Sequence, residues 1–337
     1  MLSIWLQFAA CVILILAAGV RLARYGDVIA EKTGMGRTWT GVVLMASVTS
    51  LPELITGASS VTIAGVPDIA VGDVLGSCVF NLMIIAILDP LYRPGVVLSR
   101  AEQGHILSAG FGVVALVIPV AGLLLAKNGV TMSVLWIGAY TPVLIVLYLA
   151  GMRVIFRYEQ RKMASERKAV LAYESVSARE AYAGFAASAL VVAGAATWLP
   201  FVGERLAVET GWGQTFVGML FVAFATSLPE VVTSIAAVRI GAIDLAIGGL
   251  LGSNLFNLGI LALDDVLYGA GPILAHVSFT HVFPALSAIL LSGIAILALF
   301  YRPEPRRFLG LSWLAAIILA VYVLNAYGVF ILERTPR

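Results

Sequence analysis

The sequence predicts an all-α polytopic membrane protein with ten transmembrane helices, arranged as two inverted five-helix repeats. Three observations indicate this fold class: a very apolar composition, a succession of apolar stretches, and two motifs that each occur twice. Of the 337 residues, 61% are hydrophobic and only 12% are charged, and the mean hydropathy is +1.00. A water-soluble globular protein of this length could not bury so many apolar side chains, so most of the chain has lipid as its solvent.

Ten stretches are apolar over roughly 20 residues or more, the length needed to cross about 30 Å of hydrocarbon. In two of them, residues 38–67 and 69–88, a single acidic residue interrupts the apolar sequence: Glu53 in the first and Asp73 in the second. One of the others continues past Glu230 to about residue 238. The spans drawn without any Asp, Glu, Lys or Arg are 3–20, 106–126, 128–152, 181–203, 210–229, 245–263, 273–301 and 308–332.

The basic residues indicate how the spans are oriented. Alternate connections carry 17 of the 21 Lys and Arg residues, and basic residues concentrate in cytoplasmic loops. We therefore expect an integral protein of the cell (inner) membrane with both termini outside, in the extracellular or periplasmic space. The longest connection, residues 153–180, is then a cytoplasmic linker. The net charge of +2 is too small for a nucleic-acid-binding surface.

The linker separates two copies of a repeat. Residues 46–56 align with 223–233, and residues 68–82 align with 244–258, so that corresponding residues lie 177 or 176 positions apart. Each half has an odd number of predicted spans, so the second copy enters the membrane from the opposite side. Inverted repeats with interrupted helices are typical of secondary transporters, whose sites lie near the midplane. The predicted organisation is a first repeat at 1–152 with motifs at 46–82, the linker at 153–180, and a second repeat at 181–337 with motifs at 223–258.

Two glutamates, Glu53 and Glu230, lie at equivalent positions of the repeats inside predicted spans. A carboxylate in a membrane span costs at least about 3 kcal/mol even on lenient insertion scales, so it is usually functional or paired. The predicted spans contain no Lys or Arg, and the natural partner of each glutamate is therefore an incoming cation. A protonated glutamate with a purely structural hydrogen bond is the alternative.

Both glutamates directly follow a proline. Because proline lacks an N–H and its ring collides with the carbonyl four residues back, we expect the helices to kink near Val48 and near Ala225 and to expose carbonyls there. Thr and Ser, four and three residues before each glutamate, add hydroxyls to the same face, and the next span adds a Ser and an Asn four residues apart. These are hard oxygen donors, which Ca²⁺ and Na⁺ prefer, and no His or Cys joins them to suggest zinc or copper.

The motifs T-S-L-P-E, present twice, and G-S-N-x-F-N resemble the α-repeats of the cation/Ca²⁺ exchanger superfamily, specifically its sodium/calcium exchanger branch. The resemblance implies a ten-helix fold in which Na⁺ entry drives Ca²⁺ extrusion by alternating access, with no cofactor and no enzymatic activity. It also implies that the backbone carbonyls of Ala46 and Ala223 join the ion ligands. The side-chain ligands that it implies are Thr49, Ser50, Glu53, Ser77, Asn81, Thr226, Ser227, Glu230, Ser253 and Asn257.

Three positions depart from the family pattern. Asn257 stands where potassium-dependent exchangers and many microbial members have Asp, which argues against K⁺ co-transport. Cys78 replaces the commoner Asn, and Asp73 replaces a common Asn while its counterpart Gly249 has no side chain. Asp73 lies four residues before Ser77 on the same helical face. It is therefore either a third carboxylate near the ion path or a residue close to a loop, where it meets water or caps the helix.

We expect a K⁺-independent Na⁺/Ca²⁺ antiporter whose partners are inorganic cations and the lipid bilayer. The G-N-x-x-E signature expected of proton-coupled exchangers is missing from both copies, but coupling to H⁺, or transport of a broader range of divalent cations, remains the alternative. A cation channel built on the same paired carboxylates is a further alternative. A monomer is compatible with the sequence.

Other titratable residues are not assigned to the ion site. Asp89, Asp264 and Asp265 fall near the ends of predicted spans, where we expect water to reach them. The three histidines show no ligand-like spacing and are expected near the membrane interfaces.

Overall fold

The computed structural model describes residues 1–33, 47–92, 95–163, 176–303, 307–308 and 311–334. Across these residues, eight helices are long and apolar enough to span a membrane, and a ninth span is a pair of shorter helices that meet at 46°. The prediction of an all-α polytopic membrane protein is therefore confirmed. The predicted span 38–67 lies partly outside the described residues, and its described part is helical at 47–49 and again from Leu51 to Ala64.

The described helices follow the order of the predicted spans. They are α1 (Leu2–Lys32), α2 (Leu51–Ser59, continued by a π-helical turn at Ser60–Ala64), α3 (Pro67–Leu91), α4 (His105–Lys127), α5 (Tyr140–Met163), α6 (Ala178–Thr210), α7 (Gln214–Thr226), α8 (Leu228–Arg239), α9 (Ile243–Tyr268), α10 (Val282–Tyr301) and α11 (Trp313–Arg334). Short helical turns occupy Val97–Arg100, Ile273–Ala275 and Phe279–His281. Two antiparallel hairpins pair β1 (Ser133–Val134) with β2 (Ile137–Gly138) and β3 (Arg307–Phe308) with β4 (Leu311–Ser312).

Helices α3 and α9 form the centre of the molecule. Of an apolar stretch of 18 residues in each long helix, 94% is buried inside the protein in α3 and 67% in α9. In the other long helices only 17–44% of the corresponding stretch is buried. The outer helices expose many Leu, Ile, Val and aromatic side chains, which lipid would cover in a membrane. The second repeated motif, carried by α3 and α9, is therefore enclosed by protein.

Reciprocal contacts at their ends show that α3 and α9 run antiparallel. Asp68, in the first turn of α3, lies with its Oδ1 2.9 Å from Nε2 of His281, which follows α9 in the chain. Asp244, in the first turn of α9, lies with its Oδ1 3.0 Å from Nε2 of His105, which follows α3. The start of each central helix therefore packs beside the segment that follows the other central helix in the chain.

Both proline motifs break a helix. Ser227, with φ −86° and ψ 7°, separates α7 from α8, and Pro229 lies in the first turn of α8. Ser50 has nearly the same conformation, with φ −86° and ψ 13°, directly before α2 and Pro52. The breaks occur two residues later than the sequence predicted, because each proline is accommodated in the first turn of a new helix, where its missing N–H is not needed.

The predicted span 128–152 starts later than expected. Leu135 has φ 61° and lies between β1 and β2, a conformation that an α-helix does not admit. Helix α5 therefore starts only at Tyr140, and it continues past residue 152 to Met163. The first part of the predicted linker is thus helical, and residues 164–175 lie outside the described part of the chain.

Candidate cation-binding site

Glu53 and Glu230 lie in the first turns of α2 and α8, directly after the two helix breaks, and are only 0% and 2% exposed. Each accepts a hydrogen bond from a serine of the opposite motif. Ser227 Oγ donates to Glu53 Oε1 at 2.9 Å, and Ser50 Oγ donates to Glu230 Oε1 at 3.2 Å. The two T-S-L-P-E motifs therefore meet face to face through reciprocal bonds.

Hydroxyl groups from the central helices extend this cluster. Ser77 Oγ of α3 lies 2.9 Å from Ser227 Oγ, and Ser253 Oγ of α9 lies 3.4 Å from Glu230 Oε1. The side chain of Thr49 also hydrogen-bonds to Glu230. The structure thus places hydroxyl groups of both motifs and of Ser253 against the two carboxylates, and Ser77 against the serine that bonds to Glu53.

One oxygen of each glutamate, Glu53 Oε2 and Glu230 Oε2, is buried without a hydrogen-bond partner. The ion pairs found among the described residues involve neither glutamate. Leaving a buried polar atom unpaired costs about 1–3 kcal/mol, and more if the group is charged. Such oxygens suit a dehydrated cation, which would supply the interaction that the protein does not.

The two predicted amide ligands lie in the same buried region. Asn81 Nδ2 donates to Asn254 Oδ1 at 3.0 Å, which leaves Asn81 Oδ1 unpartnered. Asn254 in turn donates from Nδ2 to the backbone carbonyl of Cys78. Both amide atoms of Asn257 are buried without a partner. Asn254 is not among the ligands predicted from the sequence, although its position as the repeat counterpart of Cys78 is a signal that could have identified it.

Asp73 is fully buried in the second turn of α3. Thr226 Oγ1 lies 2.8 Å from Asp73 Oδ1 and 3.2 Å from the carbonyl oxygen of Ala223, and Asp73 Oδ2 has no partner. The interpretation of Asp73 as a residue that meets water is therefore wrong, since packing against the α7 motif encloses it. Ala46, the predicted counterpart of Ala223, lies outside the described residues.

Asp89 and Asp265 are also buried, contrary to the expectation that water reaches them. Asp89 accepts hydrogen bonds from the backbone N–H groups of Val97 and Ser312. Asp265 accepts bonds from four donors: the N–H groups of Gly138 and Ile273 and the hydroxyls of Tyr140 and Thr141. Both aspartates hold the connections that follow the central helices, and their oxygens are occupied by these donors.

Asp264 was expected to meet water as well, but it is 0% exposed. Neither of its carboxylate oxygens has a hydrogen-bond partner. The carboxylate lies against Gly57 of α2, where a Cβ atom would be only 2.5 Å from Asp264 Oδ2. Sequence position near the end of a span could not show this burial, because it results from the packing of α9 against α2.

A family model described as sodium/calcium exchanger protein matches residues 3–157 and 180–332 of the chain. The inner membrane protein YrbG of Escherichia coli (strain K12) is 27% identical over 322 residues, which covers 90% of this chain and 94% of that protein. The interval between the two matched ranges falls inside the predicted linker.

Solved structures of two exchangers share the fold. The sodium-calcium exchanger NCX_Mj superposes with a TM-score of 0.62 and 20% identity, covering 97% of this chain and 98% of its own. The H⁺/Ca²⁺ exchanger CAX superposes with a TM-score of 0.67 and 13% identity, covering 98% of this chain and 88% of its own. At these identities the similarity establishes the fold alone, and the fold does not distinguish the two coupling ions.

Proposed function

We propose, on the premise that this chain belongs to the sodium/calcium exchanger protein family, that it is a K⁺-independent Na⁺/Ca²⁺ antiporter that extrudes Ca²⁺ by alternating access. The observation that carries the proposal is the reciprocal bonding of Glu53 and Glu230 to serines of the opposite motif, with one unpartnered oxygen on each glutamate. Two ionised carboxylates balance the charge of one Ca²⁺. Both would be within reach of the same ion.

Neutral oxygens complete the proposed ion ligands. Ca²⁺ takes about six to eight oxygen ligands, and the hydroxyls, amides and carbonyls around the glutamate pair supply them. The same oxygens can be regrouped around Na⁺, so that the two ions compete for them and their fluxes are coupled. The proposed ligands are Thr49, Ser50, Glu53, Ser77, Asn81, Thr226, Ser227, Glu230, Ser253 and Asn257, the carbonyls of Ala46 and Ala223, and Asp73 as a third carboxylate.

We further infer ten membrane spans in two inverted repeats. The antiparallel course of α3 and α9 supports this arrangement, as does the reciprocal bonding between Cys78 and Asn254, residues that are 176 positions apart. Inverted repeats allow the two halves to exchange conformations around a fixed central site. The orientation with both termini outside and the linker in the cytoplasm stays part of the proposal.

Coupling to H⁺ is the second candidate. An H⁺/Ca²⁺ exchanger shares the fold, and buried carboxylates can bind protons as well as cations. The observation that favours Na⁺ is the set of hydroxyl groups bonded to both glutamates. A transported proton needs only a carboxylate, whereas Na⁺ must exchange its hydration shell for several oxygens.

Flux measurements in proteoliposomes test the proposal. The purified chain is reconstituted, and ⁴⁵Ca²⁺ uptake is measured under an outward gradient of Na⁺, of H⁺ or of choline, each with and without K⁺. We expect the Na⁺ gradient alone to drive uptake and K⁺ to have no effect. Uptake driven only by the H⁺ gradient would refute Na⁺ coupling, and Ca²⁺ flux without any counter-ion gradient would indicate a channel.

A further inference from the structure

Asp264 differs from every other carboxylate of the central helices. Its neighbour Asp265 accepts hydrogen bonds from four protein donors, whereas both oxygens of Asp264 are buried without any partner. Removing an ionised carboxylate from water costs several kcal/mol unless another group compensates it. The ion pairs formed by the described residues do not include Asp264. Among the described residues no charged group compensates the Asp264 carboxylate, so a bound cation or a proton would have to neutralise it.

The carboxylate of Asp264 packs against the backbone of Gly57. Gly57 is one turn after Glu53 on α2, and its missing side chain makes room for the Asp264 carboxylate: an added Cβ would lie 2.5 Å from Oδ2 and 2.8 Å from Oδ1. The two oxygens therefore lie one helical turn from a central glutamate. Since residues four apart share a helical face, they lie on the face of α2 that carries Glu53.

Asp264 and Asp73 lie towards the same end of the molecule. Asp73 is in the second turn of α3, Asp264 is in the last two turns of α9, and these two helices are antiparallel. The two carboxylates are close enough to interact electrostatically. Asp73 Oδ2 is unpartnered as well. In their ionised forms the two carboxylates would repel each other in a buried region, and a cation bound by both would remove the repulsion.

The repeat does not reproduce this arrangement at the other end. The counterpart of Asp264 is Leu88, the counterpart of Asp73 is Gly249, and neither can carry charge. A feature needed only to pack the two halves would be expected in both. The additional negative charge is therefore specific to one side of the central glutamates.

We propose that Asp264 forms a second binding position for a hard cation, Na⁺ or Ca²⁺, about one helical turn from the Glu53–Glu230 pair. Asp73, the proposed third carboxylate of the central site, lies between the two positions and is shared by them. Gly57 provides the space for the Asp264 carboxylate. In the orientation proposed above, this position lies on the outer side of the central site, and it holds an ion between that site and the outer surface. The role in transport depends on the proposed function, but the binding position itself does not.

The test is cation binding to the purified full-length chain, measured by equilibrium binding of ⁴⁵Ca²⁺ and ²²Na⁺ in detergent. Asp264→Asn removes the charge, and Gly57→Ala places a methyl group against the carboxylate without changing any charge. We expect each variant to lose one bound cation per chain relative to the unmodified protein. Gly249→Ala is the matched control, since a Cβ there meets nothing within 4 Å, and it should bind as many cations as the unmodified protein.

A double variant, Glu53→Gln with Glu230→Gln, separates the two proposals. We expect it to retain one bound cation, which Asp264→Asn then removes. Retained exchange in the double variant would overturn the proposed function, while the loss of one cation in Gly57→Ala would still support the second position. If Asp264→Asn and Gly57→Ala both bind as many cations as the unmodified protein, the second position does not exist. Should Asp264→Asn not fold, Gly57→Ala by itself decides between these results.

Discussion

At the scale of single residues, the role of a carboxylate in this protein depends on the helical face that carries it. Asp264 and Asp265 are neighbours in α9, but successive residues of a helix point about 100° apart. Asp265 faces the β1–β2 hairpin and the start of α5, where four donors occupy it, whereas Asp264 faces Gly57 of α2, where none does. Only the second arrangement leaves oxygens available to an ion.

Replacement of either glutamate of the central pair is expected to abolish exchange. Glu53→Gln or Glu230→Gln keeps the shape of the side chain but removes half of the charge that balances Ca²⁺. Because loss of a group that merely orients a metal ligand already costs about 10- to 100-fold in affinity, we expect Na⁺-driven ⁴⁵Ca²⁺ uptake to fall at least about 100-fold. Glu209→Gln, at an exposed residue paired with the N-terminus, is the control. Uptake near the original rate in both variants would refute the site assignment.

Asn257 offers a test that adds a function. Its amide is buried without a partner in the proposed site, so Asn257→Asp places another carboxylate among the ligands without a change of size. We expect stronger competition between Na⁺ and Ca²⁺, or a new dependence on K⁺. Both are measured as the shift in ⁴⁵Ca²⁺ uptake when Na⁺ or K⁺ is varied in the external medium, where the ⁴⁵Ca²⁺ is added. Identical ion dependence in this variant would remove Asn257 from the ligands.

At the scale of helices, breaks and connections position the site. The breaks at Ser50 and Ser227 turn the first residues of α2 and α8 towards each other, so that each serine reaches the glutamate of the other motif. Asp89 and Asp265 hold the ends of α3 and α9, because they accept hydrogen bonds from backbone N–H groups of the connections that follow. These bonds fix the helices on which the proposed ligands lie.

The two neighbouring aspartates of α9 are expected to differ in their effect on stability. Asp265→Asn replaces an acceptor oxygen by a donor in front of four donors, and each buried group left unpaired costs about 1–3 kcal/mol. We expect this variant to lose at least about 2 kcal/mol of stability. Asp264→Asn is the matched comparison and should unfold at the same temperature as the unmodified protein, or higher. Thermal unfolding in detergent measures both, and equal destabilisation would contradict the contrast.

At the scale of the whole molecule, contacts recur in reciprocal pairs. Asp68 pairs with His281 and Asp244 pairs with His105, with oxygen-to-nitrogen distances of 2.9 and 3.0 Å, at opposite ends of the central helices. Two of the three histidines, His105 and His281, therefore join the two halves, although they were expected only to lie near interfaces. These two contacts tie the halves together in the same way at both ends of the central helices, which suits a transporter that must open to both sides in turn.

The proposed orientation predicts which ends of α5 each compartment can reach. Asn128 lies before α5 and Arg157 lies in its C-terminal half, and both are exposed. In intact cells, a membrane-impermeant thiol reagent should label Asn128→Cys, whereas Arg157→Cys should react only after permeabilisation. The native Cys11 and Cys78 are buried and serve as the unlabelled background. The reverse pattern of labelling would invert the proposed topology.

Much of the fold and of the candidate site could be predicted from sequence because the necessary information is local. Hydropathy places Glu53 and Glu230 inside membrane spans, and helical periodicity places Ser50 and Ser227 three residues away on the same face. The break positions were predicted only to within two residues, since periodicity cannot show where a helix restarts around its proline. The late start of α5 was missed for a similar reason: an apolar stretch such as residues 128–139 does not reveal a hairpin.

The sequence alone determined that this protein lives in lipid, that two carboxylates lie at equivalent places in its spans, and that their neighbours are oxygen donors. Only the tertiary structure decided which groups meet: the serine of each motif with the opposite glutamate, Asp73 with Thr226, and Asp264 with Gly57. The physical reason is the separation along the chain over which each effect acts. Hydropathy and helical period act within one segment, whereas these contacts join residues more than 150 positions apart and depend on how complete helices pack against one another.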